Sequence, residues 1–343
     1  MFSCTQERKA DDHHENNAFS DNFRIIHKHD HKILEVFNPW QKAEEVVYSY
    51  VLSNDTSGFK VPANNGLIQT PVKNVIVFST THIGFLQEIG EENSIIAVSG
   101  KDYVYNPNLR GKIDRGEIAD IGFIPAVDFE KIISLQPDVV FIYGVESSVA
   151  GVISRLEKIG IPCILIADYL ESHPLGKLEW LKFFASFYNK ENLANKRVAS
   201  ISDNYNTLLN ITNEIQDKPV IISGLPWKDT WYMPGGESFA AKLIYDAGGD
   251  YLWNKNKNRD VIALNLETAF IHGLEADIWI NAGSASSLNE ITGRDRRFSM
   301  FKSVKEKQVF NNNNRINKYG GNDFWESGVV RPDIILSDMI KIF

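Results

Sequence analysis

Two stretches of this chain, one in each half, follow a single design: AVDFEKIISLQPDVVFI at 126–142 and ALNLETAFIHGLEADIWI at 263–280. In each, a capping residue (Asp128 or Asn265) stands two positions before a glutamate (Glu130 or Glu267). A short apolar helical stretch follows, and then an aspartate, Asp138 or Asp277, opens a run apolar enough for a buried strand. Asp and Asn suit the cap because their side-chain oxygens accept from the free amides of a first helical turn, and a carboxylate inside that turn is favoured by the helix dipole. A helix leading directly into a fully apolar strand is the mark of a sheet covered on both faces. Because the unit occurs in both halves, the chain is expected to fold as two α/β lobes. Its 343 residues are enough for two cores of ordinary size.

The remaining pattern fits that plan. Residues 72–78 read as a strand, 79–82 as a loop and 83–89 as a helix; 139–143 is a strand, 149–159 a helix and 163–167 a strand. From 191 to 215 apolar residues recur at spacings of three, four or seven without Gly or Pro, which predicts one helix long enough to bridge two lobes. Beyond Pro219 the alternation resumes, with a strand at 220–223, helices at 239–247 and 266–273, a strand at 277–281 and a final helix at 332–342. Ahead of the first lobe, 23–37 alternates around the polar centre His27 to Lys32, a hairpin signal. The expected organisation is a tether over 1–22, an N-terminal lobe over 23–189, the connecting helix over 190–216 and a C-terminal lobe over 217–343.

Composition excludes some classes of function. The formal charge is −8 and no dense Lys/Arg stripe occurs, so the field would repel a phosphate backbone and nucleic acid is not expected as a partner. No run approaches the roughly 18 apolar residues needed to cross a bilayer. The two cysteines sit in unlike settings: Cys163 lies in an apolar run, as a buried thiol would, and Cys4 follows Met1-Phe2-Ser3 and precedes a polar stretch. That start resembles a bacterial lipoprotein, in which a small residue precedes a lipidated Cys. No Gly-x-Ser-x-Gly elbow or phosphate-binding Gly-x-x-x-x-Gly-Lys-Ser/Thr loop is present, and the chain is not expected to be an enzyme.

The phrase EKIISLQPDVV at 130–140, the second glutamate Glu267, the segment PLGKLEW at 174–180, the long helix and RPDIIL at 331–336 occur in one order over residues 73–343. In that combination the chain resembles the periplasmic binding proteins for iron siderophores, haem and cobalamin. The resemblance implies two Rossmann-like lobes with central sheets covered by helices, joined by one long rigid helix, with the 23–37 hairpin as an N-terminal extension. It also implies a monomeric receptor that delivers a metal chelate to an ABC importer permease dimer, with Glu130 and Glu267 pairing with permease arginines. A periplasmic location and a lipid anchor at Cys4 complete the expectation.

Loops after the strands of both lobes would then face one cleft. The candidate ligand contacts are Thr81, His82, Tyr103, Tyr105 and Tyr143 on the first lobe, with Trp227, Trp231, Tyr232 and Trp325 on the second. Aromatic faces give a flat or chelated ligand a large contact area at little rotamer cost; about half of such rings are expected in the core, and Trp253 is assigned there. No resident cofactor or metal is expected. An iron chelate is the first ligand considered and haem or cobalamin the alternative. A zinc or manganese receptor would use His27, His29 and His31 on one strand face, against which stands a solvated hairpin tip. A two-lobed metal chelatase is the last alternative, since only His82 stands where such an enzyme needs a His and carboxylate pair.

Overall fold

A computed structural model of the chain describes residues 13–15, 17–57 and 67–343. The N-terminal lobe is built on five parallel strands, in the spatial order Cys163–Leu165, Val139–Ile142, Val75–Val77, Ile95–Val98 and Ala119–Asp120. Four parallel strands make the C-terminal lobe's sheet, in the order Asp250–Tyr251, Val220–Ser223, Ile278–Ile280 and Val309–Phe310. An antiparallel pair, Thr230–Pro234 with Val261–Asn265, is added to that lobe. Every residue of the strands VVFI and IWI is buried, as helices on both faces of a sheet require.

The repeated unit has a matching structural role in the two lobes. Asp138 accepts from the amides of Lys73 (2.7 Å) and Asn74 (2.8 Å), while its own amide donates to the Asn74 carbonyl. Asp277 accepts from the Val220 amide at 2.7 Å and donates its amide to the Val220 carbonyl. Each aspartate therefore fastens the start of the neighbouring central strand and fixes the register between the two. The caps form as the sequence indicates, with Asp128 accepting from the Lys131 amide and Asn265 from the Glu267 amide.

The connecting helix runs Glu191–Thr212, 22 residues, or about 33 Å at 1.5 Å per residue. Its apolar stripe (Ala194, Val198, Ile201, Tyr205) is buried, and the Tyr205 hydroxyl donates to Asp246 at the end of the C-terminal lobe's helix Phe239–Asp246 at 2.7 Å. The last helix, Pro332–Ile342, packs along it.

Two features go beyond the sequence expectation. The predicted hairpin is part of a five-stranded sheet: Phe23–His27 and Lys32–Phe37 pair with each other, His13–Glu15 joins one edge, and Val47–Ser53 and Leu67–Gln69 extend the other. Its inner face (Phe23, Ile25, Leu34, Val36, Leu52) shares one core with the first lobe. This sheet covers helix Pro174–Ser186, all 13 residues of which are buried. Trp180 and Phe183 meet Phe23 at ring distances of 4.8 and 5.6 Å. The tether expected through residue 22 is corrected for 13–15 and 17–22, because His13–Glu15 pairs with Phe23–His27 and Ala18, Phe19 and Ser20 donate their amides to the buried Glu179 at 2.8–3.0 Å. The second feature is the stretch 311–331, which leaves the C-terminal lobe's last strand and crosses to the N-terminal lobe. Among the described residues no helix is long and apolar enough to cross a membrane.

Candidate functional site

In an open parallel sheet the loops at the carboxyl ends of the strands border the ligand crevice. On the N-terminal lobe these loops enclose a hollow of about 270 Å³, whose lining includes Phe78, Ser99, Phe123, Tyr143 and Glu146. Tyr103 lies exposed beside it, edge-on to Phe123 at 5.9 Å. From the other lobe, Trp227 is 67% exposed on the turn before strand Thr230–Pro234, and Trp325 is exposed and braced edge-on by Phe324 at 4.7 Å. Tyr232 is exposed as well.

Two predicted contacts are in the core instead. Trp231 precedes Tyr232 on one strand, and successive strand residues point to opposite faces. Trp231 accordingly has no exposed surface; it packs against Trp279, Phe298 and Phe301, and its indole N–H donates to the Ser223 carbonyl at 3.0 Å. His82 is likewise wholly buried, one layer beneath Tyr143, with Tyr143 edge-on at 6.3 Å and Phe184 at 5.7 Å. Neither of its ring nitrogens makes a hydrogen bond of good geometry among the described residues, and burial lowers its pKa to about 4 against the opposing pull of the Asp168 carboxylate and the Phe141 backbone. A ligand in the cleft has no His82 or Trp231 surface to touch in this conformation. Thr81 is half-buried, its hydroxyl 3.0 Å from that of Ser79, the residue whose side chain caps helix Thr80–Glu88. Tyr105 is partly buried, with the Arg315 guanidinium over its ring at 5.6 Å.

Sequence reasoning missed Phe123, Arg315, Tyr319 and Glu326. Tyr319 and Arg315 come to the N-terminal lobe only through the crossing of 311–331, where the Arg110 guanidinium stands 4.4 Å from the Tyr319 ring centre. The Asn311 to Asn314 run and the Gly320-Gly321 pair marked that stretch as irregular, although nothing in them marked its destination.

Glu130 and Glu267 are both exposed in the first turn of their helices. They differ in company: Arg297 holds Glu267 at 2.6 Å while also pairing with Asp295, whereas Glu130 makes no ion pair among the described residues. His27, His29 and His31 surround the hairpin turn and do not share a strand face; His31 pairs with Asp30 at 2.7 Å and His27 lies 3.6 Å from Glu15. The placement of the three imidazoles on one strand face is corrected on that geometry. Cys163 is a buried free thiol, and Cys4 lies outside the described residues.

Two helix-covered lobes with aromatic loops at the strand ends of both define a solute receptor of the periplasmic type. The chain belongs to the periplasmic binding protein family, whose model matches residues 75–315. An uncharacterised lipoprotein of Methanocaldococcus jannaschii is 29% identical over 293 residues, covering 82% of this chain and 68% of the relative. Among solved structures, the molybdate periplasmic binding protein of a Haemophilus influenzae ABC transporter has a TM-score of 0.61 at 14% identity, covering 80% of this chain and 87% of that one. The periplasmic haem-binding protein of Roseiflexus sp. RS-1 has a TM-score of 0.60 at 14% identity over 79% and 97% of the two chains. For the periplasmic vitamin B12 binding protein of Vibrio cholerae the score is 0.57 at 13% identity over 79% and 96%. At these identities the likeness is one of fold.

Proposed function

We propose that this chain captures a metal-centred small molecule in the cleft between its lobes and hands it to an ABC importer permease. The observation that carries the reading is a set of exposed rings: Tyr103 and Tyr143 after strands of the N-terminal lobe, Trp227 and Tyr232 on the C-terminal lobe, and Trp325 on the stretch that crosses between them. Such rings suit a flat or macrocyclic ligand bound by stacking, so a haem-like or cobalamin-like ligand takes precedence over a ferric siderophore. The ligands named for the solved relatives, haem, vitamin B12 and molybdate, each contain a metal.

The receptor reading includes two further roles. Glu130 and Glu267, at matched positions of the two lobes, would meet one arginine patch on each permease subunit, since an arginine fork orients a carboxylate as well as attracting it. Cys4 would carry the lipid that holds the receptor at the membrane; several acyl chains are needed to hold firmly. Labelling with radioactive palmitate should mark the parent and spare Cys4→Ser. The ligand class is tested by titrating the full chain with haem, cobalamin and a ferric hydroxamate while following tryptophan fluorescence. Saturable quenching by haem or cobalamin supports the reading; preference for the hydroxamate restores the siderophore alternative, and no response to any of the three refutes it.

A further inference from the structure

The carboxylate of Glu326 is wholly buried in a place where the C-terminal lobe's chain has left its own lobe. Its two oxygens accept from the amides of Tyr105 (2.8 Å) and Asn106 (2.7 Å) on the N-terminal lobe. Asn106 in turn caps helix Pro107–Asp114 and donates its side-chain amide to Gln87 at 2.8 Å. Four other contacts hold the same crossing. The Asn317 side chain donates to the Val104 carbonyl at 2.7 Å, and Thr80 donates its hydroxyl to the Trp325 carbonyl at 3.2 Å. A Cβ placed on Gly84 would meet the Glu326 carbonyl oxygen at 2.1 Å, and one on Gly321 would meet the Tyr103 and Val104 carbonyls at 2.8 Å. Two close backbone approaches, a bidentate carboxylate and two side-chain bonds all lie between lobes that the connecting helix already joins elsewhere.

We infer that residues 311–331 form a strap that ties the lobes a second time and walls one side of the cleft, with Glu326 as its positioning residue. The strap sets Arg315 of one lobe's chain over the Tyr105 ring of the other, and Trp325 against Thr80. Ligand then enters from the side away from the strap, and the wall made by Tyr105, Arg315 and Trp325 is present before it arrives. This rests on the receptor reading above only in taking the cleft as the binding place; the tie itself is independent of any ligand.

The groups around Glu326 are mostly acidic or neutral. Asp323 lies on its own segment, held by Arg315 at 2.9 Å and by the Ser327 hydroxyl at 2.6 Å, and the N-terminal lobe presents Tyr105, Asn106 and Gln87. No cation faces its carboxylate in an ion pair among the described residues, so the amides hold it and burial, with the Asp323 charge adding, raises its pKa to about 7.

Hydrogen exchange of the full chain without ligand tests the tie. Glu326→Ala removes both acceptors from the Tyr105 and Asn106 amides, and Gly84→Ala pushes the strap outward. Each should speed exchange in peptides covering 101–109 and 316–328 by tenfold or more and leave 139–165 unchanged. Asn317→Ala, which deletes one bond only, serves if either variant fails to fold and should give about a threefold increase in the same peptides. Exchange equal to the parent's in these variants overturns the strap. Binding to haem and cobalamin is measured on the same samples: weaker binding in step with faster exchange supports the wall, and undiminished binding despite faster exchange overturns it. A parent that binds neither refutes the receptor reading and the wall, while exchange still decides the tie.

Discussion

Arg297 Nη1 lies 2.6 Å from Glu267 Oε1, so one of the two matched glutamates is already occupied from within its own lobe. Arg297 is itself held by Asp295 and lies over the Phe270 ring at 5.4 Å. A permease arginine arriving at the C-terminal lobe must share or displace Arg297, whereas at Glu130 it meets an exposed carboxylate without an ion pair among the described residues.

The docking proposal therefore predicts unequal single effects. Glu130→Gln should lower uptake into vesicles carrying the cognate permease more than Glu267→Gln does, and the double variant should lower it most. Ligand affinity should stay at the parent value throughout. Uptake equal to the parent's in the double variant would return both residues to the role of helix-start stabilisers.

Two buried carboxylates give the fold a shared response to alkali. Burial lifts both Glu171, bonded to the Ser20 hydroxyl and the Trp180 indole, and Glu326 to about 7, from 4.5 for a free side chain. Each binds its proton more tightly in the folded chain than in the unfolded one. The stabilisation is complete below pH 4.5 and is lost as the pH rises through 7, on the order of 3 kcal/mol per group. Melting temperature should thus fall between pH 5 and pH 8. Glu171→Gln or Glu326→Gln should each remove roughly half of that slope, and a parent whose melting point is flat over the window would contradict both.

His82 acts in the opposite sense. Its pKa falls from 6.5 to about 4 on burial, so the unfolded chain takes up the proton first as the pH drops. Stability should decline between pH 6.5 and pH 4 by an amount on the order of 3 kcal/mol. His82→Phe, which leaves no ring nitrogen to protonate, should flatten the acid side of the melting profile without changing ligand affinity.

Trp227 and Trp231 separate binding from folding within four residues. Trp231→Ala empties a fully buried site and should cost about 3–5 kcal/mol of stability. Trp227→Ala removes an exposed ring and should leave the melting temperature within a degree or two while weakening ligand at least several-fold. A stable Trp231→Ala, or a Trp227→Ala with parental affinity, would reverse the assignment made from burial.

The parts of this fold that repeat or keep a strict period were readable in advance. The caps Asp128 and Asn265, the strand-opening Asp138 and Asp277 and the stripe of the connecting helix each depend on neighbours close in sequence, and local rules describe them. What escaped depends on distant partners. Nothing near Glu326 announces that its acceptors are wanted by Tyr105 and Asn106, some 220 positions earlier in the chain. In sequence Trp231 and Tyr232 both read as contacts, because a single short strand does not declare which of its faces is inward until Trp279 and Phe301 are in place. The sheet that completes the hairpin was hidden for a similar reason, since Leu67–Gln69 is three residues long and joins Val47–Ser53 by parallel pairing.

The cover that this sheet lays over helix Pro174–Ser186 bears on how the protein can be handled. An expression fragment trimmed to the family match, 75–315, would strip Phe23, Ile25 and Leu34 from Trp180 and Phe183, leave Glu179 without its three amides, and delete the last helix from the back of Glu191–Thr212. Such a fragment would carry bare aromatic surface and a stranded carboxylate into solution and should collect in inclusion bodies. The limits of recognisable kinship are narrower than the limits of what must be made in one piece.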